Sequence, residues 1–390
     1  MNDKLRYDLR GVSASKDDVH KAIKNLDKGL FPNAFCKILP DYAAMDKEYC
    51  NIMHADTAGT KTSLAYMYWK ETGDIDVWKG IVQDSIVMNI DDMACAGAIN
   101  NIVLSSTIGR NKNLITADVL NVIINHTQTF IEEMENYGIN LILAGGETAD
   151  VGDIVRTVDV GYTAFARLKK SEVVNIDIQD GDYIVGFASY GQATYENQYN
   201  GGMGSNGLTS ARHDVFNKEY ADKYPDSYDP NTPSEVIYLG SKKLTDPSPI
   251  DGIDVGKLVL SPTRTYMPLI KQILENHKDA VNGMIHCTGG AQTKVMKFLD
   301  KNLRIIKDNL LPTPPLFELI REESGLGYHE MYQVFNMGHR LEVYTPSKDA
   351  AENMIALSKA LGIDAQIIGK AEKNDSQELI IEQDGDRYTW

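Results

Sequence analysis

Asp56-Thr57-Ala58-Gly59-Thr60-Lys61 is the stretch that decides the local fold of the first half of the chain. The residues from about Asn51 have the composition of a strand, and an apolar segment follows the glycine turn through Trp69. A glycine lets backbone amides approach phosphate closely, and a lysine neutralises charge on a phosphoryl group in transfer. The stretch therefore predicts a strand, a turn that binds phosphate, and a lysine directed at it.

Three later segments repeat these residue types. Met88–Met93 contains the paired acids Asp91-Asp92, Gly145–Asp150 places two glycines before two acids, and Cys287–Ala291 contains a second glycine pair. Carboxylates are the ligands that Mg²⁺ prefers, and glycine turns accommodate phosphates. The combination predicts ATP-dependent phosphoryl chemistry, although no Walker A loop of the form GxxxxGK[ST] is present.

Size and charge restrict the class of protein. A chain of 390 residues predicts two domains, and a net charge of −16, from 39 basic and 55 acidic residues, argues against nucleic acid or an anionic membrane as the main partner. No apolar run reaches the length of a membrane span, and the charged opening, Met1–Arg10, lacks the apolar core of a secretion signal. The four cysteines form no CxxC pair, so we expect reduced thiols and a cytoplasmic protein.

The mixture of strand and helix patterns predicts two α/β domains, residues 1–168 and 169–390. In the first, Asp84 or Ser85 is expected to cap a helix that runs to about Ala96. The strand at Ile139–Leu143 is expected to end at the glycine pair, which would put Glu147 just beyond a strand end, where open α/β sheets bind ligands.

The second domain has three clear local signals. Tyr183–Ala188 follows an Asp-Gly turn and predicts a strand, Ser347 is expected to cap a helix, and Asp384-Gly385 predicts a hairpin. Residues 190–260 are irregular and rich in Tyr, Asn, Gly, Asp and Pro. We interpret this insert either as a mobile segment that closes over ligand, with Gly201 and Gly202 in its hinge, or as a surface insert that covers the second domain or supports a dimer.

In this order, the segments resemble those of the phosphoribosylformylglycinamidine cyclo-ligase family, also called aminoimidazole ribonucleotide synthetase. The resemblance covers roughly residues 7–385 and is collinear. It rests on the boxes Tyr7–Val12, Asp56–Lys61, Asp84 with Asp91-Asp92, Gly145–Asp150, Ser205–Gly207, Ser261–Tyr266, His286–Gly290 and Glu330–Gly338.

The chain departs from the family pattern in four places, one of which is the greater length of the 190–260 region. Phe31–Cys36 stands where the family has a glycine-rich loop, Thr57 replaces the first glycine of its box, and Gly204 replaces the family's histidine before Ser-Asn-Gly. These departures concern the contacts to ATP more than the reaction.

The resemblance implies a fold, an activity and a set of residues. The N-terminal domain would form a dimeric sheet or barrel in a homodimer, and the C-terminal domain would be a sheet flanked by helices. The activity would be ATP-dependent ring closure of a phosphoribosyl substrate in purine biosynthesis, with ATP as substrate and Mg²⁺ as cofactor. The implied residues are Lys61, Glu147 and His286 for catalysis; Gly59, Thr60, Lys61, Asp84, Asp91, Gly145 and Gly146 for ATP; Ser205, Asn206, Thr263, Arg264, Thr288, Gly289 and Gly290 for substrate; and Asp56 and Asp92 for the metal.

Alternatives remain open at both levels. Asp84 and Asp91 could equally be helix caps or surface acids, and Arg264 could form a structural salt bridge instead of binding substrate phosphate. The rival functions are another ATP-using enzyme of the same superfamily and a catalytically silent nucleotide-binding protein.

Overall fold

The computed structural model describes residues 6–12, 21–22, 24–300 and 302–390, so Met1–Leu5 of the charged opening lie outside the described residues. The α-helices are α1 (Arg6–Leu9), α2 (Lys61–Thr72), α3 (Val77–Cys95), α4 (Ala117–Glu135), α5 (Leu208–Val215), α6 (Glu219–Lys223), α7 (Val255–Val259), α8 (Met267–His277), α9 (Pro315–Ser324), α10 (Tyr328–Val334) and α11 (Lys348–Ala360). The strands are β1 (Ile38–Pro40), β2 (Tyr49–Thr57), β3 (Ile102–Arg110), β4 (Leu141–Asp150), β5 (Val158–Lys169), β6 (Tyr183–Ala188), β7 (Gly283–His286), β8 (Leu303–Lys307), β9 (His339–Thr345), β10 (Ala365–Lys373), β11 (Glu378–Gln383) and β12 (Asp386–Thr389).

The first sheet has five strands in the order β1-β2-β5-β3-β4. Its neighbours are antiparallel except β3 and β4, which are parallel. Helices α3 and α4 pack on one face, because alternate strand residues such as Ile52 and Val160 point towards them and are buried. On the other face, Met53 is 60% exposed and Ile142 is 45% exposed. The sheet is open in a single chain, so a dimeric sheet or barrel stays a prediction.

The second sheet has seven strands in the order β12-β11-β8-β10-β6-β9-β7. Helix α11 packs on it, and its N-terminal cap is the predicted one, because the Ser347 hydroxyl accepts a hydrogen bond from the Ala350 amide at 3.1 Å. The predicted hairpin joins β11 to β12, with Asp384 and Gly385 at φ of 54° and 89°. Two sheets with their own helices confirm the prediction of two mixed α/β domains.

Helix α3 joins the two domains. One side packs on β2 and β5 of the first sheet, and the other contacts α8 and β7 of the second domain. The short helix α1 is fixed to the second domain, because buried Arg10 forms a two-pronged ion pair with Asp214 of α5, with N–O distances of 2.6 and 2.9 Å. Residues from both halves of the chain therefore meet along α3.

Two predicted boundaries in the first domain are wrong. Helix α3 begins at Val77, so Asp84 and Ser85 lie inside the helix rather than at its cap. Strand β4 continues to Asp150, so Gly145 and Gly146 lie within the strand and Glu147 does not follow a strand end. The glycine pair adjoins a bulge, because Leu143 and Gly146 pair with Leu104 and Ser106 and leave one extra residue on β4.

The insert at 190–260 is more ordered than its composition predicts. It contains α5, α6, α7 and the 3₁₀ turns Pro225–Ser227 and Ser234–Val236. The glycines proposed as its hinge, Gly201 and Gly202, are buried together with Met203 and Gly204. A Cβ on Gly201 would lie 2.9 Å from the Leu258 carbonyl oxygen, and one on Gly202 would lie 2.7 Å from Ser189 Oγ. These glycines serve close packing, and alanine there would disturb the fold itself.

All four cysteines are free and buried. Within the described ranges, no helix is both long enough and apolar enough to cross a membrane.

Candidate active site

Helix α3 presents acids to the second domain on one face. Asp84 and Asp91 are seven residues apart, two turns along the helix, and both are buried. Each accepts hydrogen bonds from the irregular segment Ser261–Tyr266. Asp84 Oδ1 lies 2.7 Å from the Thr263 amide, and the carboxylate of Asp91 accepts from Thr265 Oγ1 at 2.7 Å and the Tyr266 amide at 2.8 Å. The two acids are therefore neither caps nor surface acids, and they attach the domains to each other.

Lys61 lies at the centre of this junction and is completely buried. Its Nζ forms an ion pair with Asp84 Oδ1 at 2.8 Å and donates to the carbonyl oxygens of Ser261 at 2.6 Å and Gly204 at 3.4 Å. Burial lowers the pKa of Lys61, although the charge of Asp84 opposes that shift. A phosphoryl group could reach Nζ only by replacing one of these partners, so the predicted phosphate contact requires rearrangement of the junction.

A hydrogen-bonded chain runs from Asp92 through His286 to Arg340. His286 Nδ1 lies 2.6 Å from Asp92 Oδ1, and Arg340 Nε donates to His286 Nε2 at 3.1 Å. A guanidinium N–H can only donate, so Nε2 is the acceptor and the ring proton resides on Nδ1. His286 uses both ring nitrogens inside the protein. The geometry makes it a residue that orients Arg340, whereas its predicted role in catalysis stays a prediction.

The neighbouring carboxyls Asp91 and Asp92 differ in acidity. Burial raises the pKa of Asp91 and outweighs its hydrogen bonds. For Asp92, burial acts in the same direction, but the hydrogen bond from His286 and the positive charge of Lys294 lower the pKa overall. Asp92 also lies near half-buried His54, with 3.5 Å between Asp92 Oδ2 and His54 Nε2. Of the two, Asp92 is therefore the better candidate to remain anionic and bind a cation.

An exposed turn of the first domain and half-exposed loops of the second domain converge beside this core. Thr60 Oγ1 lies 2.8 Å from Thr209 Oγ1 at the start of α5, which places the Gly59-Thr60 turn against the second domain. Ser205 Oγ lies 3.4 Å from Thr263 Oγ1. Asn206 Nδ2 is 3.7 Å from the position that a Cβ on Gly289 would occupy, so the predicted substrate loops are adjacent.

The two residues predicted to bind the metal, Asp56 and Asp92, lie in the same region of the structure. Asn89 of α3 contacts His54 Nδ1 at 2.9 Å and the Asp56 carbonyl at 3.4 Å, so Asp56 and Asp92 lie around the same part of α3. Among the residues described here, no group of three or more His, Cys, Asp and Glu side chains forms a metal site by itself. The assignment of Asp56 and Asp92 to Mg²⁺ stays a prediction.

Glu147, Gly145 and Gly146 are not part of the junction. They are exposed on β4, the edge strand, and Glu147 reaches Thr57 of β2 only across β3 and β5. Three strand spacings amount to about 14 Å. Their predicted roles in catalysis and ATP binding stay predictions for a site that this chain alone does not assemble.

Arg264 forms a structural salt bridge, which was one of the two alternatives that the sequence allowed. Its Nε lies 2.9 Å from Glu196 Oε1, and its Nη1 donates to the carbonyls of Ala188 at 3.0 Å and Tyr190 at 2.6 Å. The side chain is completely buried, so a substrate phosphate contact would need these bonds to break.

Two cations in this region, Lys294 and Arg340, were not predicted from the sequence. Lys294 follows the Thr288-Gly289-Gly290 turn, donates to Thr288 Oγ1 at 2.6 Å and lies 4.7 Å from the centre of the Phe35 ring. Arg340 lies two residues beyond the Glu330–Gly338 box. A basic residue shortly after a glycine turn was the available signal for both, but their proximity to Asp92 depends on long-range packing.

Two family models match successive parts of the chain. The model described as AIR synthase related protein, N-terminal domain, matches residues 39–168, and that of the C-terminal domain matches residues 179–382. The chain is 30% identical over 329 residues to the phosphoribosylformylglycinamidine cyclo-ligase of Methanococcus vannielii, covering 84% of this chain and 79% of that protein. It is 25% identical to the protein of the same name from Alkaliphilus metalliredigens, covering 97% and 99%.

Solved structures share the fold at low identity. The chain matches a structure of a HypE-HypF complex with a TM-score of 0.56 and 14% identity, covering 95% of this chain and 98% of that one. It matches T. maritima PurL complexed with FGAR with a TM-score of 0.55 and 13% identity, covering 96% of this chain and 49% of PurL. The chain thus spans about half the length of that PurL, and these matches show the fold alone.

Proposed function

Because the chain belongs to the AIR synthase related protein family, we propose that it closes formylglycinamidine ribonucleotide to aminoimidazole ribonucleotide, with ATP cleaved to ADP and phosphate, in purine biosynthesis. The observation that carries the proposal is the junction along α3. There, boxes from both halves meet, with Lys61, Asp84 and Asp92 on one side and Thr263 and His286 on the other.

The reaction has two steps. The formyl amide oxygen is a poor leaving group, and transfer of the γ-phosphoryl group of ATP forms a P–O bond to that oxygen and releases ADP. An amidine nitrogen then attacks the activated carbon, a C–N bond forms, the C–O bond breaks, the nitrogen loses a proton, and phosphate departs. The protein must hold ATP against the amide oxygen and neutralise the charge in transfer.

The loops and the buried ion pair at the junction are suited to holding the reactants in position. The exposed turn at Gly59-Thr60 and the half-exposed loops at Ser205-Asn206 and Gly289-Gly290 supply backbone amides and hydroxyls beside the junction. The buried core of Lys61 with Asp84 fixes these loops relative to each other, since it ties α2 and α3 to the segment after Ser261. A rigid support of this kind holds reactants in a reactive geometry.

The donor set fits a nucleotide-bound Mg²⁺. Mg²⁺ in ATP sites is bound by one or two carboxylates together with phosphate oxygens and water, so Asp56 and Asp92 suffice without a protein cage. Asp92 is suited because its pKa is lowered, chiefly by its hydrogen bond from His286 against the effect of burial. When bound, the ion neutralises charge on the phosphate oxygens.

The proposed assembly is a homodimer formed through the first sheets. Across the face opposite α3, Met53 pairs with Phe165, Phe165 with Val103, and Val103 with Ile142, which gives an apolar row across four strands. Burying such a row against a second copy removes apolar surface from water. We expect a dimer by light scattering and a monomer after Met53→Lys, whereas Met45→Lys, another exposed methionine, should leave the dimer intact. A monomeric parent protein would contradict this assembly.

The test of function is ATP hydrolysis that depends on formylglycinamidine ribonucleotide. We expect ADP and aminoimidazole ribonucleotide in equal amounts, and little ADP without the substrate. ATP turnover with another acceptor only would favour another enzyme of the superfamily. Nucleotide binding without turnover would favour a silent nucleotide-binding protein.

A further inference from the structure

Arg340 is a buried arginine with one unused donor. It lies on β9 and is 2% exposed. Its Nε donates to His286 Nε2, and its Nη2 donates to the Arg264 carbonyl. Its Nη1 is buried and makes no hydrogen bond within the described part of the chain. Buried donors are nearly always satisfied, so this N–H indicates a missing partner.

The charge of Arg340 also lacks a direct counter-ion. No carboxylate of the described residues lies within ion-pair distance of it, and its connection to Asp92 runs through neutral His286. Lys61 is near enough that, after burial, the charge of Arg340 contributes to lowering its pKa. Burial raises the pKa of Asp91, and Arg340 is near enough that its charge opposes that shift, but Asp91 makes no ion pair with the guanidinium. A buried guanidinium without an anion in contact is unfavourable, which indicates that the partner of Nη1 is anionic.

Gly204 lies directly against the unused donor. A Cβ on Gly204 would be 3.2 Å from Arg340 Nη1, and the Gly204 carbonyl is 3.4 Å from Lys61 Nζ. Gly204 stands at the position where the phosphoribosylformylglycinamidine cyclo-ligase family has a histidine. The guanidinium therefore lies in tight contact with the point where that side chain would begin, one residue before the half-exposed Ser205.

We propose that Arg340 is a substrate-binding residue whose Nη1 donates to a phosphate oxygen at the Gly204-Ser205 turn, in place of the family's histidine. Gly204 has φ of 69° and no side chain, so a small shift of this turn opens Nη1 to the ligand. The hydrogen bonds from Asp92 to His286 and from His286 to Arg340 fix the orientation of the guanidinium. The source of the phosphate, either the phosphoryl group in transfer or the ribose 5′-phosphate, rests on the proposed function.

Binding of inorganic phosphate tests the site without the reaction. Calorimetric titration of the full chain should show phosphate binding that Arg340→Met weakens by roughly 10- to 100-fold, the range for one charge-assisted hydrogen bond. Arg340→Lys, which retains the charge, should bind with intermediate affinity and reports on the site even if the methionine variant does not fold. The matched control is Arg304→Met, which removes a half-buried arginine paired with Glu372 on a distant strand and should bind like the parent.

Kinetics then identify the source of the phosphate. If Nη1 contacts the phosphoryl group in transfer, Arg340→Lys should lower kcat at saturating substrate. If it contacts the ribose 5′-phosphate, KM for the ribonucleotide should rise, and ribose 5-phosphate should compete with inorganic phosphate. Absence of phosphate binding in the parent chain, or equal binding by the parent and both Arg340 variants, would overturn the proposal. The parent protein could bind phosphate, and the Arg340 variants lose that binding, while the parent does not cyclise the substrate. This result would support the anion site and overturn only the proposed reaction.

Discussion

Two regions with similar sequence patterns have opposite surroundings in this molecule. The acids of α3 are buried between the domains, whereas the acids and glycines of Gly145–Asp150 are mostly exposed on the edge strand β4. Both were predicted to contact nucleotide. In the structure Asp84 and Asp91 accept hydrogen bonds from the segment Ser261–Tyr266, and Glu147 is exposed to solvent. The predicted contacts to nucleotide stay predictions in both regions.

The difference between the two regions shows why an acidic side chain is buried in one place and exposed in another. Residues seven apart on a helix share a face, and here that face meets a segment whose amides and hydroxyls are free to donate. On the edge strand β4, Asp150 accepts a hydrogen bond from Arg110 Nε at 2.7 Å but stays exposed, because this end of the strand is largely uncovered in a single chain. The function of an acidic motif therefore depends on the element that packs against it, and variants in the two regions should behave differently.

The largest effect is expected at Asp84. Asp84→Ala leaves the buried ammonium of Lys61 without its counter-ion, and breaking a buried pair in this way costs about 3–5 kcal/mol of unfolding free energy. Urea denaturation of the variant and parent at neutral pH would measure it. A loss below about 1 kcal/mol would place Asp84 with the exposed acids and remove the contrast between the regions.

A double-mutant cycle separates the pair from other losses. Lys61→Met alone also leaves a charge unpaired, but Lys61→Met with Asp84→Ala removes both charges. The double variant should therefore lose less than the sum of the single losses. Additive losses would show that the two side chains stabilise the fold independently.

Local signals in the sequence were sufficient for much of the fold. The cap at Ser347 and the turn at Asp384-Gly385 depend on residues close in sequence, and both are found as predicted. The order of the boxes along the sequence is enough to identify the family. These features need no knowledge of distant partners.

The interior of the site could not be predicted in the same way. Thr263 lies 179 residues after Asp84, and no local pattern announces that it will donate to that carboxylate. Asp84 was interpreted as a cap because an acid at a helix start is common, but the apolar residues before it extend α3 back to Val77. Arg340 was overlooked because its importance arises only from Gly204 and His286, which are distant in sequence.

A smaller loss is expected at Asp92, together with a change in pH dependence. Asp92→Asn replaces a charged acceptor of His286 with a neutral one, which should cost roughly 1.5–3 kcal/mol at pH 7. The lowered pKa of Asp92 means that its contribution is complete above the unfolded value near 4 and declines as pH falls through the folded value. The difference between variant and parent should therefore shrink in acid.

The same variant tests the metal assignment. If Asp92 holds Mg²⁺, Asp92→Asn should lose turnover at saturating ATP and Mg²⁺ while remaining folded, because an amide does not replace an anionic ligand. Near-normal kcat would remove Asp92 from the metal site and leave it as the residue that orients His286.

The glycine pair of β4 shows that an exposed strand can still have strict steric demands. A Cβ on Gly146 would lie 2.2 Å from the Ser106 carbonyl oxygen, so Gly146→Ala should cost about 1–3 kcal/mol. Gly145 has open space around its Cβ position but φ of 102°, so Gly145→Ala serves as the matched variant in which backbone strain alone acts. Thermal denaturation of both would compare them. Equal stability of Gly146→Ala and the parent would contradict the close approach of β4 to β3 at the bulge.

The smallest effect on stability is expected at Glu147. Its side chain is exposed on the edge strand, so Glu147→Gln should change the unfolding free energy by about 0.5 kcal/mol or less. If Glu147 nevertheless acts in catalysis as the sequence predicts, kcat should fall by roughly 100-fold or more, the usual effect of losing a general acid or base. Glu135→Gln, an exposed glutamate at the end of α4, is the control and should change neither quantity. A normal kcat in Glu147→Gln would restrict the chemistry to the junction along α3. A large fall in kcat without loss of stability would instead show that β4 contributes to an active site completed by a second copy, because about 14 Å of sheet separates Glu147 from Thr57 within one chain.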